Sequence, residues 1–499
     1  MLQIEVRTRY SQEVKLNRKK PFAVVKSKCS KQTFTQNERP QTVRSRKQDL
    51  TRRVNKELSI KFTESGLTSY AGFELLTNYL SRIGLNSVIR RHLGRADLAG
   101  DYGVVSMLRL ILGMLIAGGR RLQHVEYLRS DPVLLRFCHL AKLPGERTLS
   151  RWLKNFKAAT LERLYDLNAE IVGRVVGLLD LGAITVDVDG TVVSTGMKVE
   201  RAFRGYNPHR RKVPSYYPIT AALAETGHML RVKNRSGNVH DGKASIAFLR
   251  ALFGQIRETL GGAKKVRLRM DGAFFSEEVL RLVRSRGAGY AIKVPFWRCL
   301  DLKGVISRSR RWSRVGRGID CLEYRLEMWG MEHRVVIYRK KVGHRTRKNY
   351  QLDLFDPDDG HWEYSAVTTD LPLGGKRLWH FMCGRGVHEK IIGRMKSDLA
   401  FGSVPTNHYG ANSAWQQMAT LAHNLLINFQ IETGASRRHR SWKNTLVYRL
   451  KSVRTLRFEL LCRAGRVVNP NGKTVLKLSR NDIARKSYLL LADSLKNIA

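Results

Sequence analysis

Acidic residues near the ends of two strand-like segments could carry chemistry in this sequence. Asp189 lies near the end of segment 183–193 and Asp271 near the end of segment 264–272, and a glycine follows each aspartate. Side chains alternate along a strand, so one face of each segment is apolar and the other face carries the acid. Open α/β sheets place functional side chains at the carboxyl ends of strands in this way. Asp187 shares the face of Asp189 and is the reserve candidate for the same position.

A third acid, Glu389, lies in a segment with helical spacing. On a helix over residues 385–396, Arg385, Glu389 and Lys396 share one stripe of the surface. Three carboxylates suit two Mg²⁺ ions about 3.5–4 Å apart, one activating an attacking oxygen and one stabilising a leaving oxygen. Each acid also has a simpler interpretation, because a strand-end aspartate commonly forms a turn and a glutamate between cations commonly forms a helix salt bridge. The residues alone leave both interpretations open.

The composition indicates a polyanionic partner. The 499 residues include 90 Lys and Arg against 42 Asp and Glu, a net charge of +48, and the pI is near 10.6. Nucleic acid is the leading candidate for the partner of such a chain. The longest apolar run, 104–119, is interrupted by Arg109 and is too short to cross a bilayer. The first residues lack the apolar core of a signal peptide, and six scattered cysteines favour a reducing compartment, so we expect a cytoplasmic protein without a membrane partner.

Helical periodicity from about 66 to 180 gives way to strand-like segments after 180. A helical pattern at 245–256 separates two of these segments, and such alternation predicts an α/β core. The short basic segment 148–156, which carries Arg151 and Lys154, has the form of a recognition helix in a helix-turn-helix. An ordinary amphipathic helix with a solvated basic face fits that segment equally well.

The loop 201–212 mixes cations with aromatic rings, which suits phosphate contacts and base stacking. Its candidate DNA-binding residues are Arg204, Tyr206, Arg210, Arg211 and Lys212. His240 and Asp241 could support a metal site from a second layer, although a loop histidine beside an aspartate is equally common without such a role. Trp312 and Trp329 could stack on an extruded base, but core packing is the favoured interpretation of both.

Three segments of the chain resemble a known family. They look like the catalytic blocks of DDE transposases from bacterial insertion sequences, most closely those of insertion sequence family 1380. The three segments are 186–191, 269–275 and 385–396. The last segment is similar to the signature Tyr-(2)-Arg-(3)-Glu-(6)-Lys of the cut-and-paste group. Arg385, Glu389 and Lys396 fit its spacing, whereas Met382 stands at the tyrosine position.

The resemblance implies an α/β protein with a ribonuclease-H-like catalytic core and a β-rich insertion, preceded by an α-helical DNA-binding region. Asp189, Asp271 and Glu389 would be its catalytic residues and metal ligands, and Asp189 is preferred to Asp187 because the family pattern Asp-x-Thr matches 189–191. The predicted regions are a flexible basic arm (1–60), the helical DNA-binding region (61–178), the first part of the core (179–296), the β-rich insertion (297–376), the second part of the core with the catalytic glutamate (377–435) and a basic C-terminal region (436–499).

A member of this family would act as a DNA transposase. It would bind double-stranded DNA at terminal inverted repeats, cleave it by metal-assisted hydrolysis with two Mg²⁺ ions, for which Mn²⁺ can substitute, and join the 3′-hydroxyl ends to target DNA by transesterification. Arg385 and Lys396 would contact the DNA, a homodimer would hold two ends, and the location would be the bacterial nucleoid. The alternatives are a repurposed, catalytically inactive DNA-binding protein and a ribonuclease-H-like nuclease that joins nothing.

Overall fold

The apolar stripes in the first third of the chain bury one another as helices. The computed structural model describes residues 57–98, 100–179, 181–196, 198–207, 210–239, 241–260, 265–342, 362–438 and 445–498. Its first elements are β1 (Leu67–Thr68), α1 (Phe73–Arg82), α2 (Leu85–Leu93), α3 (Val104–Ala117), α4 (Pro132–Cys138), α5 (Glu146–Lys154) and α6 (Ala158–Val176). The helical character predicted between 66 and 180 is confirmed. Nearly all of the predicted basic arm lies outside the described residues.

The strand-like segments after residue 180 form the centre of a mixed sheet. The elements are β2 (Ala183–Gly190), β3 (Val193–Ser194), β4 (Ser215–Tyr216), β5 (Ile219–Leu223), β6 (Met229–Lys233), α7 (Asp241–Ala244), α8 (Ile246–Leu260), β7 (Lys265–Met270), α9 (Glu277–Ser285) and β8 (Gly289–Val294). In the sheet the spatial order is β6-β5-β2-β7-β8. Strands β7 and β8 run parallel to β2, whereas β5 and β6 form an antiparallel meander on its other side. The prediction of an α/β core is confirmed.

The strand-rich segment after β8 extends this same sheet. Its elements are α10 (Leu302–Arg308), β9 (Ser313–Gly316), β10 (Ile319–Met328), β11 (Met331–Lys341) and β12 (Trp362–Thr369). The four strands add to the edge of β8 in the order β12-β11-β10-β9, and every new pairing is antiparallel. Residues from β10, β11 and β12 share a buried cluster with β2, β7 and β8. Within the described residues the sheet therefore has nine strands.

The last part of the chain returns to the sheet and then to the N-terminal helices. Its elements are α11 (Gly375–Cys383), α12 (Gly386–Asp398), α13 (Tyr409–Glu432), α14 (Val453–Leu456), β13 (Gly465–Val468), β14 (Val475–Leu478) and α15 (Asp482–Lys496). The turn at Pro470 joins β13 and β14 in a hairpin, and β13 also pairs with β1. One buried core contains α1 to α6 together with α12 and α13, so the helix that carries Glu389 is fixed against the N-terminal helices. In the described residues, no helix has both the length and the apolarity to span a membrane.

Candidate active site

Asp189 and Asp271 reach the same edge of the sheet because their strands are parallel and in register. Val188 of β2 lies opposite Met270 of β7, and both side chains are fully buried. Asp189 follows Val188 within β2, and Asp271 follows Met270 directly after the end of β7. A buried apolar residue thus fixes the backbone just before each aspartate, while the two carboxylates keep 22% and 42% of their side-chain surface exposed.

Arg385 links these aspartates to Glu389. The arginine immediately precedes α12, and Glu389 lies in the first turn of that helix. The Nη2 atom of Arg385 is 2.6 Å from Oδ2 of Asp189 and 3.5 Å from Oδ2 of Asp271. Its Nη1 atom is 3.5 Å from Oε1 of Glu389. One guanidinium therefore gathers carboxylates from a strand, a strand end and a helix.

Asp187 lies one layer deeper and has a partner of its own. Its two carboxylate oxygens accept hydrogen bonds from Nε and Nη2 of Arg269, at 2.5 and 2.7 Å. Neither side chain has more than 1% of its surface exposed. Arg269 also donates to the carbonyl of Phe381 and lies over that ring. The pair is a closed ion pair beneath the exposed acids.

A short hydrogen-bond chain ties α12 to the strand of Asp189. The hydroxyl of Thr220, on β5, donates to the carbonyl of Asp189 at 3.0 Å, and Nε2 of His388 lies 2.9 Å from the same hydroxyl. Burial lowers the pKa of His388 to about 3, with Arg385 adding to the effect, so the ring is neutral at neutral pH. Because the hydroxyl donates to the carbonyl, Nε2 of His388 must be the atom that donates to Thr220. This chain holds the residue next to Glu389 against the backbone of Asp189.

Asp241 belongs to a second polar group beside the acids. It accepts hydrogen bonds from Nη2 of Arg235 at 2.5 Å and from the phenol of Tyr217 at 2.9 Å. The Tyr217 ring lies against Gly190, where a Cβ atom would come within 2.4 Å of it. Asp241 is thus close to Asp189, but its oxygens are engaged by these two partners. His240, predicted to pair with Asp241, lies outside the described residues.

The pKa of Asp189 reflects its burial and the charged groups around it. Burial raises the pKa of Asp189 to about 6, and Asp271 and Asp241 add to the rise. Arg385 and the amide of Gly190 oppose it. A positive charge among the acids therefore stabilises the ionised form of this carboxylate.

Comparison of the sequence with known families shows which family the chain belongs to. Residues 50–499 match the family described as transposase DDE domain, group 1. The chain belongs to the DDE transposases. No curated protein matches it. Among solved structures it is similar to a cryo-EM structure of the piggyBac transposase synaptic complex with hairpin DNA, at 11% identity over 87% of this chain and 88% of that one, with a TM-score of 0.43. A TM-score this low carries no argument, so the assignment rests on the sequence match.

Transposases of the DDE group generally use divalent metal ions, and the acids of this transposase fit such ions. Within the described residues, no three Asp, Glu, His or Cys side chains lie close enough together to hold a metal as they stand. Instead, three carboxylates surround the positive charge of Arg385. Carboxylate oxygens are the ligands that Mg²⁺ prefers. The donor set therefore suits a hard divalent cation once the guanidinium makes room.

The predicted DNA-binding residues of the transposase fall into three groups. Arg385 has 8% of its side chain exposed and contacts the acids, whereas the amine of Lys396 donates to the carbonyl of Val192 at 2.7 Å. The loop residues are all exposed: Arg204, Tyr206, Arg210, Arg211 and Lys212. Arg151 and Lys154 are exposed on α5, whose other face buries Leu149, Trp152 and Leu153. Among the described residues, no hydrogen bond or ion pair joins the last two groups to the three acids.

Three residues of the site, Thr220, Tyr217 and Arg235, lie in segments whose spacing says nothing about chemistry, and their roles depend on contacts with distant elements. His388 lies within the signature segment 385–396, but the signature does not single it out, and its contact with Thr220 depends on packing. Trp312 and Trp329 pack as expected: Trp312 lies under Arg339, and Trp329 lies 5.1 Å from the ring of Phe275.

Proposed function

We propose that this transposase cuts DNA at the ends of a mobile element and joins the freed 3′-hydroxyl ends to target DNA. The observation that carries the proposal is the meeting of Asp189, Asp271 and Glu389 around one guanidinium at one edge of the sheet. Acids from three separate elements that converge on one positive charge suit phosphoryl transfer with divalent cations. Membership of the DDE transposases supports the same reaction class.

The three acids would hold two Mg²⁺ ions, and Mn²⁺ would be an acceptable substitute. When bound there, the ions would activate the attacking oxygen and stabilise charge on the leaving oxygen. Asp187 remains the reserve ligand, but its carboxylate is engaged by Arg269 in a closed pair, which favours Asp189. Thr220 and His388 would act on the reaction only indirectly, by keeping α12 and Asp189 in register.

The chemistry would proceed in two steps of the same kind. In the first step, water attacks the phosphorus at the transposon end, and the bond to the 3′-oxygen breaks to leave a 3′-hydroxyl and a 5′-phosphate. In the second step, that 3′-oxygen attacks a phosphorus of the target, and the 3′-oxygen of the target leaves and takes up a proton. One phosphodiester replaces another, so the joining step consumes no nucleotide.

Double-stranded DNA would be bound by the basic surfaces of the chain. Arg385 and Lys396 would contact phosphates next to the reacting bond, and the exposed cations of loop 201–212 would follow the flanking backbone. Arg151 and Lys154 on α5 would contribute to recognition of the terminal inverted repeats within the helical region 61–178. Two ends must be held together, so we expect a homodimer on DNA.

The finer family assignment is also part of the proposal. The order β6-β5-β2-β7-β8, with the acids at one edge, supports a ribonuclease-H-like core, and strands β9 to β12 support a β-rich insertion at 297–376. The Arg385, Glu389 and Lys396 spacing supports membership of insertion sequence family 1380 and thus action on DNA of the bacterial nucleoid.

The proposal is tested by a cleavage and joining assay. Purified wild type and Asp271→Asn are incubated with DNA that carries the element's own ends and with a target plasmid, with and without Mg²⁺. We expect Mg²⁺-dependent cutting and joined products from the wild type and neither from the variant. Tight DNA binding without cutting would indicate a repurposed binding protein, and cutting without joining would indicate a nuclease.

A further inference from the structure

Two arginines lie beside the acids, and one of them is held on every side. Arg269 makes two short hydrogen bonds to Asp187 and a third, at 2.6 Å, to the carbonyl of Phe381. Its side chain is fully buried. A guanidinium with a bidentate carboxylate partner and no exposure would leave that place only at a large cost in free energy.

The other arginine, Arg385, is held much less completely. It has one short hydrogen bond, to Asp189, and reaches Asp271 and Glu389 only at 3.5 Å. Its buried Nε atom has no hydrogen-bond partner among the described residues. The side chains of Asp271 and Glu389 are 42% and 63% exposed, so the acids can be reached from solvent. This guanidinium is therefore free to change partners.

Arg385 and a divalent cation need the same carboxylate oxygens. Three ionised acids close together repel one another, and in the protein without metal the nearest positive charge is that of Arg385. A divalent cation bound to these oxygens supplies more positive charge at the same place, and like charges close together repel. The side chain would then be expelled toward the exposed edge, where a DNA phosphate would be its natural partner.

We propose that Arg385 is an exchangeable cation, which holds the three acids in the metal-free protein and moves to a DNA phosphate when divalent cations bind. The proposal rests on the proposed function, because it takes the three acids as the metal ligands. It has a thermodynamic consequence: DNA that draws Arg385 away from the acids raises the affinity for metal, and metal raises the affinity for DNA by the same factor. The transposase would then reach full occupancy of its metal sites only when it is bound to a transposon end.

The test measures Mn²⁺ affinity rather than turnover. Free Mn²⁺ is followed by electron paramagnetic resonance in titrations of the full chain, with and without a duplex that represents an already cleaved end. Arg385→Gln removes the competing charge. Arg394→Gln is the matched control, because residue 394 is nine positions further on and lies on the opposite face of the same helix. Asp271→Asn removes a proposed ligand.

We expect Arg385→Gln to bind Mn²⁺ about tenfold more tightly than the wild type without DNA, as loss of a competing charged hydrogen bond predicts. The duplex should tighten Mn²⁺ binding in the wild type and in Arg394→Gln, but not in Arg385→Gln. Equal or weaker Mn²⁺ binding by a folded Arg385→Gln would overturn the exchange. Should that variant fail to fold, Arg385→Met serves instead, because it also removes the charge but keeps a long apolar side chain in the buried position. Tighter Mn²⁺ binding by Arg385→Met supports the exchange, and unchanged binding overturns it. Asp271→Asn distinguishes failure of the proposed metal site from failure of the exchange. An unchanged Mn²⁺ affinity in Asp271→Asn would contradict the metal site itself. Weaker Mn²⁺ binding by Asp271→Asn, together with no effect of Arg385→Gln, would contradict only the exchange.

Discussion

At the scale of single residues, Asp187 and Asp189 show how two acids on one strand face acquire different properties. Asp187 is enclosed with Arg269, and the exposed fraction of either side chain is at most 1%. Asp189 is 22% exposed and shares the guanidinium of Arg385 with two other acids. The carboxylate of Asp187 is buried and fully paired, whereas the carboxylate of Asp189 is accessible to a ligand.

Replacing these acids one at a time separates their roles. Asp187→Asn leaves Arg269 buried without a counter-charge, and we expect a loss of about 3–5 kcal/mol in the free energy of unfolding. Asp189→Asn should unfold closer to the wild type, because its partner Arg385 keeps Asp271 and Glu389 as counter-charges, yet it should fail to cut DNA. Denaturant titration and the cleavage assay check both variants. A stable Asp187→Asn that cannot cut, beside an active Asp189→Asn, would make Asp187 the ligand.

Strand alternation places Asp187, Asp189 and Asp271 on the polar faces of their strands, because period-two patterning is a local property. It does not choose between Asp187 and Asp189, and that choice depends on the family resemblance. The partner of Asp187 could not be predicted in this way, since Arg269 reaches it through the parallel pairing of two strands that are 82 positions apart. Helical spacing likewise places Arg385 and Glu389 on one stripe. Only the packing of α12 against the sheet edge brings that stripe to the two aspartates.

At the scale of elements, the edge strand β6 is covered by side-chain amides. Asn424 of α13 accepts from the amide of Met229 at 2.9 Å and donates to its carbonyl at 2.8 Å and to Asn168 at 2.7 Å. Gln417, also on α13, donates to the carbonyl of Val232 at 2.7 Å. Unpaired strand edges otherwise favour association with other chains. These side-chain amides hydrogen-bond the edge of the sheet to α13. They join residues that are too far apart in the sequence for local patterns to reveal.

The contribution of these hydrogen bonds to stability can be measured by replacing Asn424. Asn424→Leu would remove the acceptor of the buried Met229 amide and the donor to Oδ1 of Asn168, while the Met229 carbonyl keeps its hydrogen bond from Asn168 at 3.2 Å. We therefore expect a loss of about 3 kcal/mol in the free energy of unfolding. Gln416→Leu is the control, because Gln416 is fully buried on the same helix and its amide atoms have no partner among the described residues. The control should be neutral or stabilising in denaturant titration. Equal losses in both variants would contradict the assignment.

The turn between β5 and β6 adds a dependence on pH. His228 is fully buried; its Nδ1 lies 2.7 Å from the hydroxyl of Thr226 and its Nε2 lies 2.7 Å from Oδ1 of Asn428. Burial lowers the pKa of His228 to about 3, below the ordinary value of 6.5, so the unfolded chain takes up this proton first. The stabilisation is complete above pH 6.5 and declines as the pH falls toward 3.

We therefore expect His228 to contribute a loss of about 2 kcal/mol in stability between pH 7 and pH 5, at roughly 1.4 kcal/mol per pH unit below 6.5. Comparison of wild type with His228→Asn by denaturant titration at the two pH values isolates this part, because other histidines are unchanged. The variant should show the smaller loss. The same pH dependence in both proteins would mean that His228 is not held neutral.

At the scale of the whole molecule, positive charge is concentrated toward both ends of the sequence. Residues 1–60 carry 16 Lys and Arg against 5 acids, and residues 436–499 carry 16 against 3. Residues 64–499 form a compact unit of their own. Composition predicts this charge distribution, but it could not predict that strands β9 to β12 extend the central sheet or that α6 and α13 share a core, because both depend on pairings between distant segments.

Deleting residues 1–60 should change DNA binding without changing stability. Removing one protein–phosphate ion pair reduces the steepness of log affinity against log salt by about 0.9, so the truncated chain should bind DNA more weakly and with a shallower slope. Its thermal midpoint should match that of the full chain, because residues 64–499 contain the folded core. Binding isotherms at several salt concentrations check the slope. Identical slopes would show that this arm does not bind DNA.

The most direct measurement is of cleavage and end binding in Glu389→Gln, made side by side with the wild type. The side chain of Glu389 is 63% exposed, so we expect Glu389→Gln to disturb the packing of the fold little. If it is a metal ligand, the variant will bind end DNA within a few-fold of the wild type and cut none of it. Cutting at the wild-type rate would contradict the proposed site, and an equal loss of binding and cutting would make Glu389 a structural residue.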